Sequence, residues 1–375
     1  MNTAPYQCRF GTYSLAGPHD HAAVSLLLRS APVHGDMRLN LRREPDFAAY
    51  RNPLGKSLMI IGRGVQGNPM FLCEAREYPV YIGGKPSRAV YLGPLRVAPE
   101  YRRHIGVLEH GFLAVRMFAR RLELADDFFA AIPYDDIPAR TVAEAGLARL
   151  PRYTMLGDID SLQLPARSNR EAPEPPAGYA IDPGTPADAR AIEGLLAASS
   201  AAWSYAPALS AGQLTTLLGR EKAAFTFSDM LMLRHKDLPV GCVGVWDQRG
   251  RRQQYVEGYS LGTALLRVWH SLTGGRTPLL PSPGNRLELV YLPFFTIRNN
   301  HAKAGLVLLD HALRRAGAKG GRVCALALAE QNPLRDSLGL KGRTQRIRVY
   351  RVVFPGSGKA SEGRFFAPQP ELALL

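Results

Sequence analysis

Cysteine is scarce in this sequence, and long apolar runs are absent. The four cysteines (Cys8, Cys73, Cys242 and Cys324) lie far apart, without a CxxC pair or a neighbouring histidine. That spacing is not typical of a disulfide framework or a zinc site, so we expect buried thiols and no bound metal. No apolar run reaches the roughly 18 residues of a membrane span, and the first residues lack the basic and apolar regions of an export signal. We therefore expect a cytoplasmic protein without a membrane partner.

Acidic residues are few relative to basic ones, and the formal net charge is +15 over 375 residues. Only eight of the 47 basic residues are lysines, and the arginines are spread along the whole chain. A positive field favours anionic ligands in general. Nucleic acid is thus an allowed partner but not the favoured one, because the arginines form no single tract.

The most informative stretch runs from Tyr91 to Leu122. Residues 91–97 are typical of an apolar strand, residues 98–101 break it, and a helix with apolar residues at spacings of three and four follows. The first turn of a helix has unpaired N–H groups and a partial positive charge. Because basic residues come directly before this helix, we predict a site for a phosphate or pyrophosphate.

This stretch resembles the core motif of the GCN5-related N-acetyltransferase superfamily. Residues 97–102 match its Val-x-Pro-x-x-Arg pattern, and Arg103-x-x-Gly106 keeps the spacing of the turn that follows. The resemblance implies acetyl-coenzyme A or another acyl-coenzyme A as co-substrate, with its pyrophosphate on the turn and its pantetheine along the strand. The cofactor-binding residues that it implies are Leu95, Arg96, Val97, Arg102, Arg103, His104, Ile105, Gly106 and Val107.

The superfamily's order of elements is predicted twice along the chain, first over about residues 6–165 and again from Tyr179. We predict an α/β (α+β) fold of two tandem domains, each a mixed, mostly antiparallel sheet flanked by helices. The predicted parts are an acyl-coenzyme A-binding domain (1–165), a linker (166–178), a degenerate second domain (179–355) and a tail (356–375). The second copy is predicted to be degenerate because residues 297–305 lack the Arg-x-x-Gly-x-Gly/Ala spacing. Its expected role is to wall the acceptor pocket or to pair with the first copy.

Several predictions of single elements bear on the site. Residues 6–15 are predicted as one strand, 153–164 as a pair of strands, and 287–294 as one strand. Residues 34–47 fit a pocket wall or a solvated loop, and both interpretations stay open. The tail leaves two alternatives, docking on the body or staying loose.

The acid and base of acyl transfer cannot be assigned by motif. The strand from Arg88 to Val97 holds no carboxylate, and Val142 occupies the position of the family's usual tyrosine. The candidate catalytic residues beside the expected cleft are Tyr134, Asp135 and Glu74, with Asp136 and Tyr91 as neighbours. No Gly-x-Ser-x-Gly motif or triad order is present, so direct transfer between two bound substrates is the simpler mechanism.

The sequence therefore predicts an N-acyltransferase that moves an acyl group from acyl-coenzyme A to a primary amine. The acceptor is expected to be a small molecule or a peptide. Two alternatives remain. One is an aminoacyl-tRNA-dependent transferase, which the positive charge would suit, and the other is a non-catalytic ligand-binding module with the same fold.

Overall fold

The structure is a computed structural model. It describes residues 4–30, 32–33, 35–47, 52–167, 172–219, 225–272, 280–298, 301–339, 343–356 and 365–375. Some residues of the predicted linker, of the stretch before the second long helix and of the tail lie outside these ranges. In the described ranges, no helix is both long enough and apolar enough to span a membrane.

The described elements alternate between strands and helices through both halves of the chain. In the first half the strands are β1 (Tyr6–Cys8), β2 (Gly11–Leu15), β3 (Met37–Arg42), β4 (Ser57–Gly64), β5 (Pro69–Ile82), β6 (Lys85–Val97), β7 (Phe128–Pro133) and β8 (Arg152–Pro165). The helices there are α1 (His21–Ser30), α2 (Ile105–Arg121) and α3 (Ile137–Glu144).

In the second half the strands are β9 (Tyr179–Pro183), β10 (Met230–His235), β11 (Leu238–Gly244), β12 (Gln253–Tyr259), β13 (Leu289–Tyr291), β14 (Thr296–Ile297), β15 (Val323–Ala329) and β16 (Arg343–Val353). The helices are α4 (Ala189–Ser200), α5 (Ala211–Leu218), α6 (Leu261–Leu272), α7 (Ala302–Ala318) and α8 (Pro333–Ser337).

One large mixed sheet runs through both halves. Its strand order is β1-β2-β4-β5-β6-β7-β16-β8-β15-β13, and only the pairs β6–β7 and β13–β15 within it are parallel. A second sheet has the order β14-β11-β10-β9, and β3 forms a two-stranded ribbon with β12. The predicted fold class, a mostly antiparallel mixed sheet flanked by helices, is confirmed.

Strand β16, near the end of the chain, lies between β7 and β8. It pairs antiparallel with β7 over Ile347–Val352 and with β8 over Arg343–Val353. On its other edge β8 pairs with β15 of the second half. Strands on either side of residue 165 therefore share one sheet, and the predicted four-part division of the chain remains a prediction.

The predicted strand pair at 153–164 is wrong, because β8 is one continuous strand of 14 residues. Gly157 looks like a turn in the sequence, but it has a φ of +153° inside the strand, where the register against β16 shifts. A Cβ at Gly157 would lie 2.9 Å from the Pro368 side chain. The glycine therefore permits a bulge over which the tail packs.

Two further strand predictions are corrected, and one open alternative is decided. Residues 6–15 form a hairpin of two strands, because Arg9 and Phe10 make a two-residue turn between Cys8 and Gly11. The segment 34–47 contains β3, whose partner β12 lies more than 200 residues away, and its Leu39, Leu41 and Arg43 line a cavity, in agreement with the pocket-wall alternative. Residues 287–294 are interrupted after Tyr291, and the chain moves from β13 in the large sheet to β14 in the second sheet.

Helices α1 and α2 cover opposite faces of the first half's strands. Helix α1 packs Val24, Leu27 and Leu28 against a face that includes Leu72. Helix α2 buries Phe112, Val115 and Phe118 at the predicted spacing, and its Gly111 lets the Phe71 ring approach closely. Burial of one such large side chain contributes about 1.5–3 kcal/mol.

The described end of the tail, residues 365–375, docks on the body. Ser204 exchanges backbone hydrogen bonds with Ala367 and Gln369, and the partly buried Glu371 accepts from the backbone N–H of Phe294. Burial raises the pKa of Glu371 to about 7, against the effect of its N–H donors. The docking alternative for this segment is therefore confirmed.

We predict that residues 1–165 alone do not fold cooperatively, because the edges of β7 and β8 that pair with β16 would be exposed. Co-expression with residues 166–375 should restore a soluble complex. Size-exclusion chromatography and thermal unfolding of the fragment, with the intact chain as control, would test this. A monomeric fragment 1–165 with a cooperative transition would contradict the pairing scheme.

Candidate functional site

Strands β6 and β7 diverge in the middle of the large sheet. Their parallel pairing covers only Val90 with Phe128 and Tyr91 with Phe129. Beyond these pairs β6 follows β5 as far as Val97, whereas β7 follows β16. The edge of β6 after Tyr91 therefore faces open space, with its backbone groups available to a ligand.

A bulge in β6 determines which of its side chains point to the α2 side of the sheet and which to the α1 side. Leu92 pairs with Ala75 and Leu95 with Cys73, so β6 holds one extra residue at the cis Gly93–Pro94 peptide. The bulge turns Leu92 and Leu95 toward α2. Side chains directly opposite each other on paired strands share a face.

Tyr91 and Arg96 therefore lie on the opposite, α1-side face of the sheet. Tyr91 is opposite Arg76 in the register with β5, and Arg96 is opposite Leu72, which packs under α1. A Cβ at Gly93 would lie 2.6 Å from the Tyr91 hydroxyl oxygen, so this ring folds back over the bulge.

A cavity of about 550 Å³ fills the gap between β6 and β7. Around the gap its walls are apolar, and they are formed by Leu92, Pro94, Leu95, Val97, Leu108, Phe112, Ala130, Ala131, Ile132 and Pro133. Away from the gap the floor carries neutral hydrogen-bonding side chains, namely Ser161, Gln163, Gln254, Tyr291 and Gln345. An apolar pocket with a few convergent polar groups is the usual form of a small-molecule site.

The second half and the tail supply much of this cavity. The residues that they contribute are Arg252, Gln254, Leu289, Tyr291, Ala325, Gln345, Ile347, Leu372 and Leu375. The β3–β12 ribbon brings Leu41 of the first half close to Gln254 of the second. The sequence offered residues 34–47 and the second copy as pocket walls, but it named none of the lining residues of the second half or the tail, because no local pattern marks pairings between such distant segments.

Glu74, a predicted catalytic residue, lies buried beside the cavity between two arginines. Its Oε2 accepts from Arg43 and from Arg76, both at 2.6 Å, and all three side chains are almost fully buried. Burial would raise the pKa of Glu74, but the two guanidinium groups outweigh it and lower the pKa to about 2. Such a carboxylate is a weak base, so its position favours a structural charge over proton transfer.

The other two predicted catalytic residues do not line the cavity. The Tyr134 ring is half exposed and lies under the guanidinium groups of Arg140 and Arg348, at 4.3 and 4.9 Å from its centroid. Asp135 lies beside Gly35. Asp136 does line the cavity, and it caps α3 by accepting from the backbone N–H of Ala139.

The turn before α2 separates its basic residues. Arg102 donates to the carbonyl oxygens of Val97 and Ser30, so its side chain points toward the end of α1 and away from the first turn of α2. Arg103, His104 and Ile105 are exposed, whereas Gly106 and Val107 are buried. A Cβ at Gly106 would lie 2.4 Å from the Phe10 ring, so a glycine is needed there for packing.

Three predicted strand residues and Tyr91 converge on the cavity. Leu95, Arg96 and Val97 all line it, as the sequence predicts for ligand-binding positions. Burial raises the pKa of Tyr91, although Arg252 and Arg76 oppose the shift, so its hydroxyl stays protonated at neutral pH. The cleft thus offers backbone groups, tyrosine hydroxyls that include that of Tyr91, and the side-chain carboxylate of Asp136.

Comparison with known proteins rests on the fold. No protein-family model matches the sequence, and no curated protein matches it either. A GCN5-related N-acetyltransferase from Sphaerobacter thermophilus superposes with a TM-score of 0.54 over 92% of this chain and 96% of that chain, at 13% identity. N-Myristoyltransferase of Saccharomyces cerevisiae, solved with bound myristoyl-CoA, superposes with a TM-score of 0.59 over 99% of this chain and 90% of that chain, at 12% identity.

The whole chain has a GCN5-related N-acetyltransferase fold. A GCN5-related glucosamine N-acetyltransferase region of a fungal multi-domain β-N-acetylglucosaminidase also shares it, with a TM-score of 0.56 over 92% of this chain, 38% of that chain and 11% identity. Within this fold, the gap between β6 and β7 and the turn before α2 are the positions that the sequence motif marks. The resemblance inferred from residues 91–122 is confirmed at the level of fold.

We predict that Glu74→Gln lowers the free energy of unfolding at pH 7 by about 3–5 kcal/mol, because two buried guanidinium groups lose their shared carboxylate. The ionised Glu74, with its pKa depressed from 4.5 to about 2, stabilises the fold above pH 4.5. That contribution is lost as the pH falls toward 2, so the gap between wild type and variant should narrow there.

Urea denaturation at several pH values would measure the difference. Glu123→Gln is a matched control, because Glu123 is exposed and lies 3.8 Å from Lys56. Its effect should stay below about 1 kcal/mol. Equal effects of the two variants would show that the buried arginines do not depend on Glu74.

Proposed function

We propose that the protein transfers an acyl group, acetyl or longer, from acyl-coenzyme A directly to a primary amine. The observation that carries this proposal is the open gap between β6 and β7, directly beside the first turn of α2. There a free strand edge, an apolar cavity and unpaired helix N–H groups lie together. The neighbours' printed activities, N-acetyl and N-myristoyl transfer, agree with this chemistry.

The residues of this chain fit acyl-coenzyme A in three places. The edge of β6 from Leu95 to Val97 can hydrogen-bond an extended pantetheine, and the apolar walls can hold its acyl group. The N–H groups of Ile105 and Gly106, at the start of α2, suit the pyrophosphate. Arg103 is the side chain proposed to add charge there, because Arg102 points to the opposite side.

The groups that we propose for proton transfer are side chains that line the cavity. We assign proton acceptance from the amine to Asp136, and donation to the leaving thiolate to the protonated Tyr91 hydroxyl. Backbone N–H groups on the open edge of β6 are proposed to polarise the acyl carbonyl. Tyr134 and Asp135 stay predictions, and they lie outside the cavity lining.

The acceptor is proposed to enter from the second half of the chain. The neutral polar floor there can bind a small molecule or a peptide, whereas nucleic acid is not favoured. The second copy then acts as a wall of the acceptor pocket, and the protein is proposed to work in the cytoplasm. The cavity volume is within the range of sites for drug-sized ligands, so acyl chains longer than acetyl belong to the proposal.

The decisive experiment measures release of free thiol from acetyl-, octanoyl- and myristoyl-coenzyme A with and without a panel of primary amines. Amine-dependent release would support the proposal and would rank the acyl chains. Isothermal titration with coenzyme A and with tRNA runs beside it. Tight, salt-dependent tRNA binding without coenzyme A binding would contradict the proposed donor.

We predict that Arg103→Glu weakens coenzyme A binding at least tenfold, because a charge-assisted contact with the pyrophosphate becomes a repulsion. Isothermal titration measures the dissociation constant. Arg120→Glu is the control, because Arg120 is exposed at the far end of the same helix. This variant should bind coenzyme A as tightly as the wild type. If both variants bind like the wild type, the pyrophosphate site lies elsewhere.

A further inference from the structure

Arg96 brings a positive charge into the cavity with little to balance it. Its Nη1 donates to the carbonyl oxygen of the adjacent Leu95 at 2.9 Å, and its Nε, shielded from solvent, has no hydrogen-bond partner. Among the described residues, no ion pair shorter than 4 Å joins Arg96 to a carboxylate, although several other arginines have one. Burial lowers the pKa of Arg96, with the nearby Asp136 opposing the shift.

The charged neighbours of Arg96 are engaged elsewhere. Arg43 shares the Glu74 carboxylate with Arg76. Arg102 donates to two backbone carbonyl groups. Asp136 lies close enough to interact electrostatically, but its Oδ1 caps α3. The protein therefore leaves part of the Arg96 guanidinium exposed to the cavity.

A buried guanidinium is costly unless a partner offsets its desolvation. We propose that Arg96 binds an anionic group, a carboxylate or a phosphate, that the amine acceptor carries near its reacting nitrogen. This inference rests on the proposed acyl transfer. It narrows the acceptor to anionic amines, such as amino acids or phosphorylated amino sugars.

The side of the sheet on which Arg96 lies indicates that its anionic partner belongs to the acceptor and not to coenzyme A. Arg96 lies on the α1 side of β6, opposite Leu72, together with Tyr91. The first turn of α2, proposed for the pyrophosphate, lies on the other face with Leu95 and Val97. The phosphates of coenzyme A and the Arg96 guanidinium are therefore on different sides of the sheet.

The first test needs no known acceptor. Because the Arg96 charge is poorly paired without ligand, Arg96→Met should raise the melting temperature of the ligand-free protein. The control is Arg348→Met, which removes an arginine 3.0 Å from Asp158 and should lower it. A drop for Arg96→Met as large as that of the control would assign Arg96 a structural role and overturn the proposal.

The second test measures binding to the protein saturated with coenzyme A. Isothermal titration compares an amino acid with its carboxamide, and a phosphorylated amino sugar with the free amino sugar. At least one anionic member should bind roughly ten to a hundred times more tightly than its neutral counterpart. The ratio of the two affinities should fall to near one in Arg96→Met and be partly retained in Arg96→Lys. A preference within the amino-acid pair would identify the anion as a carboxylate, and a preference within the amino-sugar pair would identify it as a phosphate.

The outcomes separate the two proposals. If wild type binds coenzyme A but neither anionic amine is preferred, or the preference survives in Arg96→Met, the anion site is wrong and acyl transfer stands. If coenzyme A does not bind, the proposal of acyl transfer is wrong. The melting temperatures and the binding of amines to the free protein then still test the role of Arg96.

Discussion

The backbone pairing of β16 with both β7 and β8 fixes the course of the central strands of the large sheet. Beyond Phe129, β7 follows β16 and separates from β6, which follows β5. Side chains reinforce the pairing, because Arg348 donates to Asp158 and Arg351 to Asp127, both at 3.0 Å. Since a strand supplied by the second half holds the gap open, the cavity is a property of the whole chain and not of its first half alone.

The two halves repeat a set of contacts, and this supports their description as copies of one unit. Asp20 accepts from Arg63 at the end of β4 and from the Gly17 N–H, and Asp188 accepts from Arg234 and from the Thr185 N–H in the same way. Both halves also place a tightly packed glycine in the first turn of a long helix. A Cβ at Gly106 would lie 2.4 Å from the Phe10 ring, and a Cβ at Gly305 would lie 1.9 Å from Ile297.

Local signals in the sequence could predict only part of this arrangement. Three features depend only on neighbours within a few residues: the apolar spacing of α2, the strand before it and the Val97–Arg102 motif. The structure has both the predicted strand and the predicted helix. The pairing of β8 with β16 joins residues about 190 positions apart in the sequence. No pattern within a single sequence indicates such a pairing. Gly157 shows the limit, because a glycine with positive φ reads equally well as a turn or as a bulge within a strand. The same limit hid Arg252, Gln254 and the tail from the candidate site.

The buried Arg43–Glu74–Arg76 group is unsuited to acid or base catalysis. A carboxylate between two guanidinium groups is held in one place and one charge state, so it can orient its neighbours but cannot readily exchange a proton. Apolar residues of similar volume would often be at least as stable as a buried ionic group. A group of this kind beside a cavity is therefore better explained by preorganisation of the site than by stability. The Tyr91 hydroxyl and the Asp136 carboxylate, which we propose as proton donor and acceptor, line the cavity beside this fixed charge. Arg76 of the group opposes the rise in the pKa of Tyr91 that burial causes.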